Sequence, residues 1–128
     1  MAAGIFYPDE KGPLEAWLDR LIEPVSKKER AAAILVPHGS LSSCGPVAAA
    51  VYGRLLWPET AVLVGPNHTG EGGPFGILTK GQWSTPLGEM KVDEPLARAI
   101  LRRAKDLKRD SRCHEAEHSL ETQVPFLQ

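Results

Sequence analysis

Ala31-Ala32-Ala33-Ile34-Leu35-Val36-Pro37-His38, then Pro46-Val47-Ala48-Ala49-Ala50-Val51-Tyr52-Gly53-Arg54-Leu55-Leu56-Trp57, then Ala61-Val62-Leu63-Val64-Gly65-Pro66-Asn67-His68 is the stretch that decides the fold. The first run is short, apolar throughout and bounded by Pro37, which is the pattern of a strand buried on both faces of a parallel sheet. Pro46 suits the first position of a helix, where its missing N–H costs nothing. Val47, Ala48, Val51, Leu55 and Leu56 mark that helix's buried face, and Pro58 closes it. Ala61 to Gly65 reads as a second buried strand. Strand, helix and strand in such close succession form a βαβ unit, with parallel strands and a right-handed crossover. The fold class is therefore α/β.

Working outward, Leu14, Trp17, Leu18, Leu21 and Ile22 recur at helical spacing, so an amphipathic helix is expected over 13–23, ended by Pro24. Lys27 to Arg30 is a solvated connection into the first strand. Beyond the second strand, Gly70, Gly72, Gly73 and Pro74 make a loop, Phe75 to Thr79 reads as a further strand, and Gln82 to Val92 as a hairpin-like excursion. Asp93 is an N-cap candidate for a helix reaching Leu107, with Leu96, Ala97, Ile100, Leu101 and Ala104 on its apolar face. Arg98, Arg102, Arg103, Lys105, Lys108 and Arg109 give it a basic outer side, read as a solvated face. Glu117 to Gln128 reads as a last helix, kinked or ended at Pro125. Residues 1–128 form one domain on this reading.

The 128 residues, 42% of them hydrophobic, suffice for one core. With 15 basic against 16 acidic side chains, the net charge of −1 gives no electrostatic reason for a nucleic-acid or anionic-membrane partner. The first residues lack the basic flank and long apolar run of a secretory signal. No apolar run reaches the ~20 residues that span a bilayer. Cys44 and Cys113 are too few for a disulfide framework and are expected as thiols in a reducing compartment. The expected location is cytoplasmic.

The chemistry concentrates in the four histidines. His38 follows the first strand and His68 the second, so parallel pairing puts both at the carboxyl edge of the sheet, where α/β proteins bind ligands. Imidazole is the commonest side-chain ligand for transition metals, and two loops of this kind can converge on one ion. A lone loop histidine is more often simply hydrogen-bonded, and it is the equivalent placement of two that points to a metal. His114 and His118 are four apart and would share a helix face, with Glu115 and Glu117 available to orient an imidazole. Cys44 is read as a small residue packed under its loop rather than a reactive thiol.

Ala3-Gly4-Ile5-Phe6-Tyr7-Pro8, Val36-Pro37-His38, Gly45-Pro46-Val47-Ala48-Ala49, Gly65-Pro66-Asn67-His68-Thr69, Trp83-Ser84-Thr85-Pro86-Leu87-Gly88 and Glu117-His118-Ser119-Leu120-Glu121 through Pro125-Phe126-Leu127 occur in this order along the chain. Together they resemble the Memo family, the AmmeMemoRadiSam system protein B group of microbes, whose fold is similar to that of class III extradiol dioxygenases. The resemblance implies a three-layer α/β/α fold with a mainly parallel sheet, of which this chain supplies the amino-terminal part. It also implies iron or copper held by His38 and His68, with His118 handling protons beside the metal. His114 matches a histidine frequent in microbial members and is a second catalytic candidate. Two departures stand out. Gly39-Ser40-Leu41 replaces the Ala-Gly-Tyr that usually follows the first histidine, and the third metal ligand of the relatives lies beyond Gln128.

Two functions follow as expectations. One is a dioxygenase-like, metal-dependent oxidoreductase, impaired in this chain by the absent third ligand. The other is a non-catalytic module that binds a small molecule, peptide or protein in the same cleft. Unpaired sheet edges also call for a second copy or a complementing chain.

Overall fold

Helix α1, Lys11–Leu21, turns Leu14 and Leu18 inward and closes where the Ile22 N–H donates to the Leu18 carbonyl at 2.8 Å. The computed structural model describes residues 2–128. Helix α2, Leu41–Tyr52, packs beside α1, and Gly45 lets the two approach: a Cβ there would lie 2.8 Å from Leu21 Cδ1. Leu14, Leu18, Leu41, Ala48, Ala49, Tyr52 and Phe126 are all at most 7% exposed and form the core with Ala2 and Tyr7.

The remaining elements are small. Strand β1, Gly76–Ile77, pairs in parallel with β4, Lys108–Arg109. Strands β2, Gln82–Thr85, and β3, Gly88–Lys91, form an antiparallel hairpin that sets Trp83 opposite Met90. Gly88 sits at φ +135°, a conformation that side chains resist, and so ends the turn. Helix α3, Glu94–Arg103, is capped by the Asp93 carboxylate, which accepts from the Leu96 N–H at 2.9 Å. A short α4, Arg112–Glu115, a 3₁₀ turn, Glu121–Gln123, and α5, Val124–Leu127, complete the order of an α/β fold.

Three expectations need correction. The runs 31–36 and 61–65 take no regular secondary structure and make no ladder, and neither is buried: Leu35 is 94% and Val64 91% exposed. An apolar run predisposes to a strand, but a ladder needs neighbouring strands, and among the described residues these runs have only the Glu29–Leu55 bridge beside them. Helix α2 begins at Leu41, not Pro46, because the Ser40 hydroxyl caps it by accepting from the Ser42 N–H. Pro46 lies inside that helix, where it leaves the Ser42 carbonyl without its i+4 donor.

The third correction concerns the C-terminal segment, where His114 and His118 do not share a helix. The chain leaves helical geometry between α4 and the 3₁₀ turn, and there the Glu117 carboxylate accepts from the Ser119 N–H at 2.8 Å. Such a local side-chain bond competes with the helical ladder. The basic residues divide as well: Arg98, Arg102 and Arg103 stay exposed on α3, with Arg98 paired to Glu94, while Lys108 and Arg109 belong to β4. No helix among the described residues is long and apolar enough to cross a membrane.

Buried tyrosines tie the N-terminal loop and α2 to the last turn. Tyr52 stacks on Phe126 with centroids 4.9 Å apart and donates its hydroxyl to Gln123 Oε1 at 3.0 Å. Burial pushes its phenol from 10.0 up to about 12. Burial and the Glu121 carboxylate likewise raise Tyr7. A phenol whose pKa is raised on folding stabilises the fold fully below its unfolded value, and that contribution is lost as pH rises through the folded value. Urea melts should therefore weaken between pH 10 and 12, and Tyr52→Phe should flatten the decline; an equally steep decline in the variant would contradict the assignment.

Candidate metal centre

Two apolar runs and the broken C-terminal segment each deliver one imidazole to the same place. His38 leaves the first run, His68 follows Gly65-Pro66-Asn67, and His118 comes from the irregular stretch after α4. A nitrogen from each lies within 4.8 Å of the others. His38 Nε2 and His68 Nε2 are 3.3 Å apart, with ring planes tilted by 55°. Two nitrogens bound at ~2.0–2.1 Å to one tetrahedral ion would be separated by ~3.3–3.4 Å, so the pair has the spacing of a coordination edge.

The rings of His68 and His118 are stacked instead, 4.9 Å apart and inclined by only 14°. An imidazole lone pair lies in the ring plane, and two near-parallel planes meet only far from the rings. The planes of His38 and His68 converge at 55° and those of His38 and His118 at 62°, whereas His68 and His118 are nearly parallel, so His38 and His68 are the pair with both the spacing and the tilt of two donors to one ion. Phe6 covers His118, with centroids 4.2 Å apart and planes 11° from parallel. His118 is thus sandwiched between Phe6 and His68, its side chain 28% exposed.

Glu117, 3% exposed, braces this arrangement. Its Oε1 accepts from His68 Nδ1 at 2.9 Å and from the Ser119 N–H, and its Oε2 accepts from the His68 backbone N–H. Burial alone would raise its carboxyl, but the hydrogen bonds from His68 and Ser119 prevail and hold it down at about 2. The Ser119 hydroxyl donates to the Pro66 carbonyl at 3.0 Å. Gly65 makes the approach feasible, since a Cβ there would meet Leu120 Cδ2 at 2.8 Å and Ser119 Oγ at 2.9 Å.

The neighbouring loops are secured in turn. The Cys44 thiol donates to the His38 carbonyl at 3.3 Å, so this cysteine packs under its loop as expected. Glu121, buried, accepts from the Ala2 N–H at 2.6 Å and the Tyr7 hydroxyl at 2.9 Å, which anchors the loop carrying Phe6. Gln123 Nε2 donates to the Pro37 carbonyl at 3.3 Å, just before His38.

The chain's residues match the Memo-like protein family over 1–128. MEMO1 family proteins of Aquifex aeolicus, Caldivirga maquilingensis and Pyrococcus furiosus are 43%, 40% and 39% identical to it, over 98%, 98% and 100% of its length. The chain belongs to the Memo-like family. It spans about half the length of these curated relatives, covering 47%, 49% and 46% of them.

Within this Memo-like chain, three of the four histidines singled out in the sequence come together and the fourth does not. His114 sits on α4 with its ring edge-on to Trp83 at 6.3 Å, and its Nε2 is buried without a hydrogen-bond partner. Burial lowers its pKa. It borders a cavity of about 340 Å³ that Leu63, Trp83, Leu96 and Ile100 also line. Spacing alone missed two contributors, Phe6 and Glu121, and the partner of a third. Glu117 was noticed as a neighbour of the C-terminal histidines, yet it braces His68, 49 residues away. Phe6 and Glu121 gave no local signal of their roles, because those roles depend on where the N-terminal loop lands.

Proposed function

We propose that this chain carries the histidine part of a transition-metal centre, iron or copper, in which His38 and His68 are ligands through Nε2 and His118 handles protons beside the ion. The family-length protein would use that centre for dioxygenase-like redox chemistry on a small molecule. The observation that carries the reading is the 3.3 Å Nε2–Nε2 separation with tilted rings. Imidazole suits both iron and copper. A bound ion of this kind supplies Lewis acidity and an electron path to oxygen or a reductant.

The chain's own residues do the rest. Glu117 holds the Nδ1 side of His68, leaving Nε2 directed at His38. His118 has its Nδ1 3.5 Å from Glu117 Oε1, so Nε2 is the end free to take up or release a proton. Phe6 keeps water off one face of that ring. His114, set against Trp83 rather than the cluster, has no part in this reading.

A second reading, a cleft that holds a peptide or complementing chain, is favoured by the exposed apolar side chains of Leu35 and Val64 on runs whose backbone groups have no ladder partners. Anaerobic calorimetric titration of the chain with Fe²⁺ and, separately, Cu²⁺ distinguishes them. The metal reading expects saturable binding of one ion per chain that a chelator reverses. No heat of binding with either ion would overturn it and leave the second reading.

A further inference from the structure

Glu117 makes more contacts to His68 than a surface ion pair would, and each of them constrains the same ring. One carboxylate oxygen takes the His68 side-chain Nδ1 and the other takes the His68 backbone N–H, so side chain and main chain are gripped together. The carboxylate itself is fixed by the Ser119 N–H, and the loop by the Ser119 hydroxyl on the Pro66 carbonyl. A carboxylate only accepts, so Nδ1 must carry the proton in this pairing and Nε2 must carry the lone pair. That lone pair lies on the His38 side, 3.3 Å from the opposing Nε2. His68 remains 44% exposed, so packing alone does not fix its ring.

We propose that Glu117 is the positioning residue of the centre: it selects the Nδ1–H tautomer of His68 and locks the ring, so that Nε2 is preformed as a metal donor before any ion arrives. The inference rests on the metal reading above, but its first consequence is visible without metal. A bare imidazole samples both tautomers and rotates, and binding must then select the competent form, which weakens apparent affinity. Outer partners of metal-bound histidines act in this way, and losing one typically costs ~10–100-fold in affinity. Glu117→Gln preserves size but confronts three N–H donors with a single acceptor oxygen, so at least one donor is lost. Glu117→Asp keeps the charge while withdrawing the oxygens from His68.

The test pairs two measurements on the full 128-residue chain, with circular dichroism as the check on folding. Nitrogen-15 NMR of the metal-free protein at alkaline pH should show His68 almost wholly as the Nδ1–H tautomer, and a mixture in both variants. Titration with Co²⁺ alone as probe should show ~10–100-fold weaker binding in both variants than in the wild type. Wild-type binding with unchanged tautomer and affinity in folded Glu117→Gln and Glu117→Asp would overturn the role of Glu117. A wild type that shows the Nδ1–H tautomer but binds no Co²⁺ would instead overturn the metal reading, so the two failures are distinct. Should Glu117→Gln not fold, Glu117→Asp decides alone: wild-type affinity there refutes the proposal.

Discussion

His68→Ala is expected to lower the chain's affinity for a transition metal by more than the ~10–100-fold typical of losing an outer-sphere partner. It removes one of the two Nε2 atoms that lie 3.3 Å apart on tilted rings, and it also removes the donor held by the buried Glu117 carboxylate. His38→Ala should weaken binding comparably. His118→Ala should weaken it far less, because its ring is stacked on His68 rather than tilted toward it. Calorimetric titration of the three variants ranks the roles. Equal losses in all three would mean that His118 is a full ligand, and no loss in any would remove the site altogether.

The second large effect lies in the core rather than the site. Leu14→Ala should destabilise the chain by ~2–5 kcal/mol, the range for a fully buried leucine cut back to alanine in a core that cannot collapse around the void. Leu14 is 0% exposed and sits among Leu18, Leu41, Ala48 and Tyr52, where α1 meets α2. That cluster contains none of the three histidines. Folded Leu14→Ala should thus bind metal like the wild type while its urea midpoint falls. A midpoint within about 0.5 kcal/mol of wild type, the size of an ordinary surface change, would show that α1 is not docked as described.

What the sequence disclosed tracks which interactions are local. The Asp93 cap and the α3 periodicity were legible because each is settled by residues a few positions apart, whereas the segment about Pro86-Leu87 showed only as turn-rich or hairpin-like, without its pairing. The approach of His38 to His68 was also legible from their equivalent places at the ends of two apolar runs joined by a helix, although the sheet edge expected to carry them does not form. Pairing of those runs was not legible. Alternation and apolarity describe a segment's faces, whereas a ladder depends on distant neighbours, and here 31–36 and 61–65 lack them.

The start of α2 was misplaced because Pro46 is a strong local signal for a first turn, yet the Ser40 hydroxyl outcompetes it and brings Leu41 into the helix and the core. The C-terminal segment read as one helix because Leu120, Val124 and Leu127 have helical spacing. Its interruption follows from Glu117 serving His68 and Ser119 instead of the helix ladder. That role depends on a long-range contact that spacing does not encode.

The most direct measurement is the anomalous scattering of a crystal of the chain soaked with Co²⁺. The account predicts a single strong peak within ~2.0–2.3 Å of both His38 Nε2 and His68 Nε2, with His118 stacked beside it. A peak at His114 or Cys113, or none near the three histidines, would contradict it.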